Sequence, residues 1–265
     1  MRLLQKGLIF FISFSGLFLM LRIYEGFDIF NLNVLRTDIA DLGGIPWLYS
    51  VVGIIFSVLA AFIIQNEWQQ WSNLVAAVRG EVQGLEQLWH CANHLPEDTR
   101  LSICHPIHRY LALITTKGLE QLSRDEHTAL DRVFISICDA VYGMPDHPRL
   151  KSTVDAILAN IISHRSSRLL YSWPATPGVL KNTLGFAAAL VIVLSLFIGV
   201  RSIWLDYVFT ISIAVLAYVV YLVVDDLDNP LRPGLWQITP HDYQELLRRL
   251  EPTLEPVAVS LSPST

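Results

Sequence analysis

Two Cys/His pairs come closest to a chemical site in this chain of 265 residues. Cys91 with His94, and Cys104 with His108, each put a thiol and an imidazole about one helical turn apart, and those are ligands zinc takes. Leu95, Pro96 and Glu97 break the helix between the pairs. Both pairs also lie on amphipathic faces, where cysteine serves as a small apolar residue, so packing is the stronger reading. His90, one turn before His94, would make a pH-sensitive pair, and a solvated helix face accounts for it at least as well. The chain contains no glycine-rich phosphate loop, no G-x-S-x-G elbow and no H-E-x-x-H, so no covalent chemistry and no cofactor is expected.

The elements that hold these residues are set by an unusual composition. Only 16% of residues are charged and 52% are hydrophobic, whereas soluble domains carry about 25% charged residues. The surplus apolar surface must face lipid. A net charge of -5, from 24 acidic and 19 basic residues, leaves no basic surface for phosphates, which argues against a nucleic-acid partner.

Crossing roughly 30 Å of hydrocarbon takes about 20 apolar helical residues. Four stretches fit: residues 7–24, 45–64, 183–200 and 207–224. Residues 201–206 are so short a link that the last two form an antiparallel hairpin. The first stretch follows Arg2 and Lys6 as a secretory signal would, but bulky Leu19, Met20, Leu21, Ile23 and Tyr24 replace the small residues of a cleavage site, so it stays as a span. Arg2, Lys6, Arg79, Arg165, Arg168, Lys181 and Arg232 flank the spans on one side, while residues 25–44 contribute only Arg36 and the hairpin only Arg201. The positive-inside rule then places both termini and the central block in the cytoplasm of a cell whose inner membrane the chain spans several times. Cys91, Cys104 and Cys138 all fall in that block, an odd number suited to a reducing compartment.

The predicted architecture is an all-α membrane protein with four transmembrane helices and a cytosolic helical block between spans 2 and 3. It divides into a first pair (residues 1–64), the block (65–182), a second pair (183–224), an acidic and proline-containing segment with a helix (225–250) and a Pro/Ser-rich tail (251–265) read as disordered. Within the block, Leu74, Val75, Val78, Val82, Leu85 and Leu88 recur at helical spacing. Further helices cover about 96–115, 125–142 with Gly143 as C-cap, and 148–171.

Three places carry a family resemblance. Span 2 runs through Gln65, Asn66 and Glu67 into Trp68 and Trp71; Trp89 to Glu97, then Arg109 and Tyr110, reads as a helical hairpin; span 4 runs into Asp225, Asp226, Leu227, Asp228, Asn229 and Pro230. Together these resemble the bestrophin-like family of prokaryotic membrane proteins, distantly similar to bestrophin anion channels, over about residues 45–250. Here the tryptophans are spaced rather than adjacent, and Arg232 and Pro233 interrupt the compact Asn-Pro-Phe-Gly of bestrophins. The resemblance implies a homo-oligomer, a pentamer, whose pore is lined by span 2 and conducts small ions, with the lipid bilayer as its other partner. In eukaryotic bestrophins a comparable acidic region takes part in calcium binding, and Asp225, Asp226 and Asp228 do offer hard oxygen ligands. The favoured reading is pairing with Arg79, Arg165 or Arg168, since carboxylates at a helix C-terminus oppose the macrodipole by about 0.3–1 kcal/mol each.

Span 2 can be read for such a pore. Gly53, Ser57 and Ala61 form a small-residue stripe that admits another helix closely. Tyr49, Val52, Phe56, Leu59 and Ile63 are the candidates to line an apolar constriction that gates by dewetting, though contact with lipid or neighbouring spans suits them equally. Gly43, Gly44 and Pro46 would present a positive helix end to the outer mouth and favour anions, whereas a ring of Glu67 would favour cations unless Arg79 neutralises it. Anions such as chloride or bicarbonate follow from the resemblance. The rival from another class is a membrane-anchored scaffold or regulatory subunit that binds a partner through its cytosolic helices.

Overall fold

The computed structural model describes residues 2–26, 45–119, 124–143, 148–173, 176–197, 203–232 and 234–260. Gly43, Gly44, Arg36 and Arg201 lie outside them. Among the described residues the ordered elements are helices: α1 (Arg2–Gly26), α2 (Ile45–Ala92), α3 (Glu97–Lys117), α4 (Arg124–Tyr142), α5 (Pro148–Tyr171), α6 (Gly178–Phe197), α7 (Ile203–Leu227) and α8 (His241–Ser260). Three of them, α2, α6 and α7, are long and apolar enough to cross a membrane, while the apolar part of α1, Leu8–Met20, is shorter.

The chain divides into two compact units, one of Met1–Gln70 with Pro174–Trp236 and the other of Trp71–Trp173 with Gln237–Thr265. Helix α2 contributes residues to both. No proline or helix-terminating turn interrupts it between residues 47 and 92, so the membrane boundary expected at Ile64 is a change of side-chain chemistry within one continuous rod.

In the first unit, Phe56, Ala60 and Ile63 of α2 pack against Leu184, Ala188 and Val191 of α6 and Ala217 and Val224 of α7. Helix α1 lies antiparallel to α7. Phe10 stacks on Tyr218 with centroids 4.0 Å apart, Phe14 packs on Ile211 and Ala214, and Phe18 meets the edge of Tyr207 at 5.4 Å. The start of α1 and the end of α7 therefore share one end of this unit.

In the second unit, α3 packs on α4 and α8, around a core that includes Leu85, Trp89, Ile103, Ile107, Tyr110, Leu130, Phe134, Leu158 and Tyr243. Helix α3 stops at Gly118, whose φ of 71° suits only a residue without Cβ. Helix α5 approaches α2 at Gly80 and Gly84: a Cβ there would lie 2.5 Å from the His164 ring and 2.5 Å from Ile161 Cγ1. Helix α8 continues to Ser260, through the first part of the stretch read from composition as a disordered tail. Leu254, Val257 and Ala258 hold a helical spacing there that the proline and serine count conceals.

Candidate functional site

The densest set of charged groups in the first unit surrounds Glu67, less than one turn beyond the stretch of α2 long enough to span the bilayer. Glu67 is 1% exposed. The Thr176 hydroxyl, on the segment leading into α6, donates a hydrogen bond to its Oε1. Asp228, at the end of α7, stands beside it. Burial, reinforced by the Asp228 charge and opposed by Lys181, pushes the Glu67 carboxyl up to about 7. Lys181 Nζ, from the first turn of α6, donates to Asp225 Oδ1 at 3.1 Å and to Asp228 Oδ2 at 2.7 Å. The other oxygen of Asp228, Oδ1, is buried and has no hydrogen-bond partner among the described residues. When protonated, Glu67 has a proton to donate towards Asp228.

The third carboxylate works separately. Asp226 Oδ2 accepts from the backbone N–H of Leu235 at 2.9 Å and of Trp236 at 3.4 Å, which holds these two residues against the end of α7. A side chain at Gly234 would collide with the Asp226 carboxylate. Closing this turn brings Trp236 edge-on to Trp68, with ring centroids 5.0 Å apart.

These contacts correct the pairing inferred from sequence. Lys181 pairs with both Asp225 and Asp228, and backbone amides hold Asp226. The three arginines proposed for that role have partners within the second unit: Arg79 with Asp242 at 3.9 Å, Arg165 with Asp131 and Arg168 with Glu81 at 2.6 Å. Lys181 starts the helix that packs beside α7 and reaches the acidic end directly, whereas each arginine is paired with a carboxylate of its own unit.

The other sequence candidates fall in several places. Phe56 and Ile63 are buried against α6 and α7, and Tyr49, Val52 and Leu59 are half-buried beside them, so within one chain this face of α2 is a packing face. Gly53 has nothing within 4 Å of where a Cβ would stand, Ser57 donates to the Gly53 carbonyl at 2.8 Å, and Ala61 is exposed. The small-residue stripe is thus uncovered by the described residues. Trp68 joins the site through Trp236, Asn229 Nδ2 lies 3.4 Å from Asp228 Oδ2, and Pro230 is buried. Trp71 belongs to the second unit. Among the described residues no group of three or more His, Cys, Asp or Glu is placed to hold a metal ion, which holds for Cys91, His94, Cys104 and His108 and for the three aspartates alike.

Sequence reasoning missed a second buried cluster. Glu81, 0% exposed, accepts from Arg168 Nε at 2.6 Å, Tyr110 Oη at 2.5 Å and Tyr243 Oη at 3.1 Å. Burial and the Glu81 charge drive both phenols well above their ordinary range. This ties α2, α3, α5 and α8 to one carboxylate. The available signal was a glutamate flanked by Gly80 and Gly84, on the face that meets α5.

The bestrophin-like domain model matches residues 43–243. No curated protein matches the chain. Among solved structures, a tryptophan-to-alanine variant of a bacterial bestrophin homologue from Klebsiella pneumoniae is 12% identical with a TM-score of 0.73, covering 94% of this chain and 97% of that one. A tyrosine-to-alanine variant described in the same words gives 14% identity and 0.67 over 92% and 96%, and a membrane protein with a glycine-to-alanine change gives 13% and 0.72 over 91% and 96%. With a domain match over most of its length and this fold, the chain belongs to the bestrophin-like family.

Proposed function

We propose that this protein is an ion channel of the inner membrane, a homo-oligomer, in the family's usual form a pentamer, whose copies of α2 enclose a pore for small anions such as chloride or bicarbonate. The observation that carries this reading is the asymmetry of α2. Phe56, Ala60 and Ile63 are committed to α6 and α7, while Ile54, Val58 and Phe62 are 64%, 66% and 68% exposed. At about 100° per residue, Ile54 and Val58 point nearly opposite the packed stripe. Gly53, Ser57 and Ala61 lie between the two faces and allow a neighbouring copy to approach. The packed face, including Tyr49, Val52 and Leu59, then backs the pore helix, and the uncovered face forms the apolar constriction.

This reading has four spans with both termini in the cytoplasm. Trp47 and Trp204, 74% and 76% exposed, sit at the outer ends of α2 and α7, suited to an interfacial aromatic belt. From Trp47 to Asn66, and from Trp204 to Val223, the helical rise is about 28 Å, close to the roughly 30 Å of hydrocarbon. The antiparallel α1 completes an even number of crossings. The anion preference gains from the burial of Glu67: a carboxyl 1% exposed, with its oxygen bonded to Thr176, is turned away from a cation-selecting ring.

The test is halide flux into liposomes carrying the purified protein. Val58→Ala and Ile54→Ala should raise flux several-fold by widening and wetting the constriction. Phe56→Ala should lower the unfolding temperature without raising flux. Flux equal to that of empty vesicles for wild type and both widened variants would reject the channel.

A further inference from the structure

Between α3 and α4, in the second unit, lies a depression of about 300 Å³ lined by His105, Pro106, His108, Arg109, Val133 and Ser136. Three of these carry N–H donors, and their i, i+3, i+4 spacing sets them on one face of α3. None of the three has an ion pair or hydrogen bond among the described residues. Five other arginines of this unit are matched, Arg79 with Asp242, Arg100 with Glu97, Arg165 with Asp131, Arg168 with Glu81 and Arg249 with Glu86 and Glu245, whereas Arg132 and Arg248 lie exposed outside the depression. The lining contains no carboxylate, on a chain whose acidic residues outnumber its basic ones.

We propose that this depression is a binding site for a small phosphate-bearing anion, separate from any conduction path. A guanidinium presents a planar fork that fits two phosphate oxygens, and two imidazoles one turn away on the same face of α3 can donate to a third, which suits a tetrahedral oxyanion better than a spherical halide. The volume stands at the lower edge of small-molecule pockets, roughly 300–1,000 Å³, and leaves room for an organic remainder against Val133. Ser136 donates its own proton to the Arg132 carbonyl at 3.0 Å, so its oxygen is left to accept from a ligand hydroxyl. Pro106, inside α3, has no N–H and cannot bond the Ser102 carbonyl. That loosens the helix where the depression opens. A metal ion fits less well: two imidazoles fall short of a full ligand set, and Arg109 would repel it.

The experiment is equilibrium dialysis of radiolabelled orthophosphate against the full-length protein in detergent. Saturable binding near one phosphate per chain is expected. It should weaken about tenfold or more in Arg109→Gln and in the His105→Gln/His108→Gln double variant, the loss typical of a charge-assisted hydrogen bond. All these residues lie at the surface, so unfolding temperatures should match wild type and show that the variants fold. Arg248→Gln, an exposed arginine on α8, should bind as wild type does. Three results would overturn the site: no saturable binding into the millimolar range, equal weakening by Arg248→Gln, or stoichiometric zinc uptake that needs His105 and His108 and tightens in Arg109→Gln.

Discussion

At the scale of single residues, two buried carboxylates solve opposite problems. Glu81 is met by a guanidinium and two phenols, whereas Glu67 shares its surroundings with another carboxylate. For Glu67 the sign is that of an acid whose pKa is higher folded than unfolded: stability is greatest at low pH and declines as pH rises from about 4.5 to about 7, then levels off. Glu67→Gln removes that decline and can still donate to Asp228. Its thermal unfolding midpoint in detergent should therefore exceed wild type by a few degrees at pH 8, with the gap closing towards pH 4.5. Parallel curves would mean that Glu67 is not held protonated. Arg168 gives the contrasting case. Arg168→Met strands the Glu81 charge in a dry core and should destabilise by about 3–5 kcal/mol. Adding Glu81→Gln should recover much of that loss, because a neutral amide needs no counter-charge; chemical denaturation of the four proteins in a double-mutant cycle gives the coupling directly.

At the scale of elements, α2 shows what its sequence could and could not declare. The helices of the central block were legible because polar and apolar residues alternate with helical period, and proline or glycine marks their ends: Glu97–Lys117 follows Pro96, and Arg124–Tyr142 stops at Gly143. Within residues 45–64 every face is apolar, so periodicity has no contrast to work on, and Phe56 looks as fit for a pore as Ile54. Only the contacts with α6 and α7 separate them. The partners of Glu67 were hidden for another reason. Thr176 and Asp228 lie 109 and 161 residues away, and Lys181, noticed only as a flanking positive charge, proved to be the counter-ion of the acidic end. Gly80 and Gly84 of α2 carry a packing signal that periodicity alone does not reveal. Gly84→Leu would drive a branched side chain into Ile161 of α5 and should cost about 1–3 kcal/mol through overpacking, measured as a lower denaturation midpoint. Gly53→Ala, with open space in the single chain, should leave that midpoint unchanged and act only on assembly.

At the scale of the whole molecule, the proposed assembly rests on the face of α2 that a solitary chain leaves uncovered. A helix serving only as an anchor needs no row of small residues beside an apolar face, because lipid tails pack as well against leucine as against glycine. Gly53, Ser57 and Ala61 gain value only when a second backbone comes close. If copies associate through this stripe, Ser57→Cys should form a disulfide between neighbouring chains under mild oxidation of membranes, giving a dimer band on non-reducing gels. A disulfide joins only two chains and the ring repeats one contact, so two cysteines per chain, one on each side of the contact, would be needed for a full ladder whose highest rung counts the subunits. Val208→Cys, 55% exposed on the span α7, controls for random collision. Cross-linking of Ser57→Cys no greater than this control would leave α2 facing lipid alone and favour a membrane-anchored scaffold, since no passage can form without neighbouring copies of the pore helix.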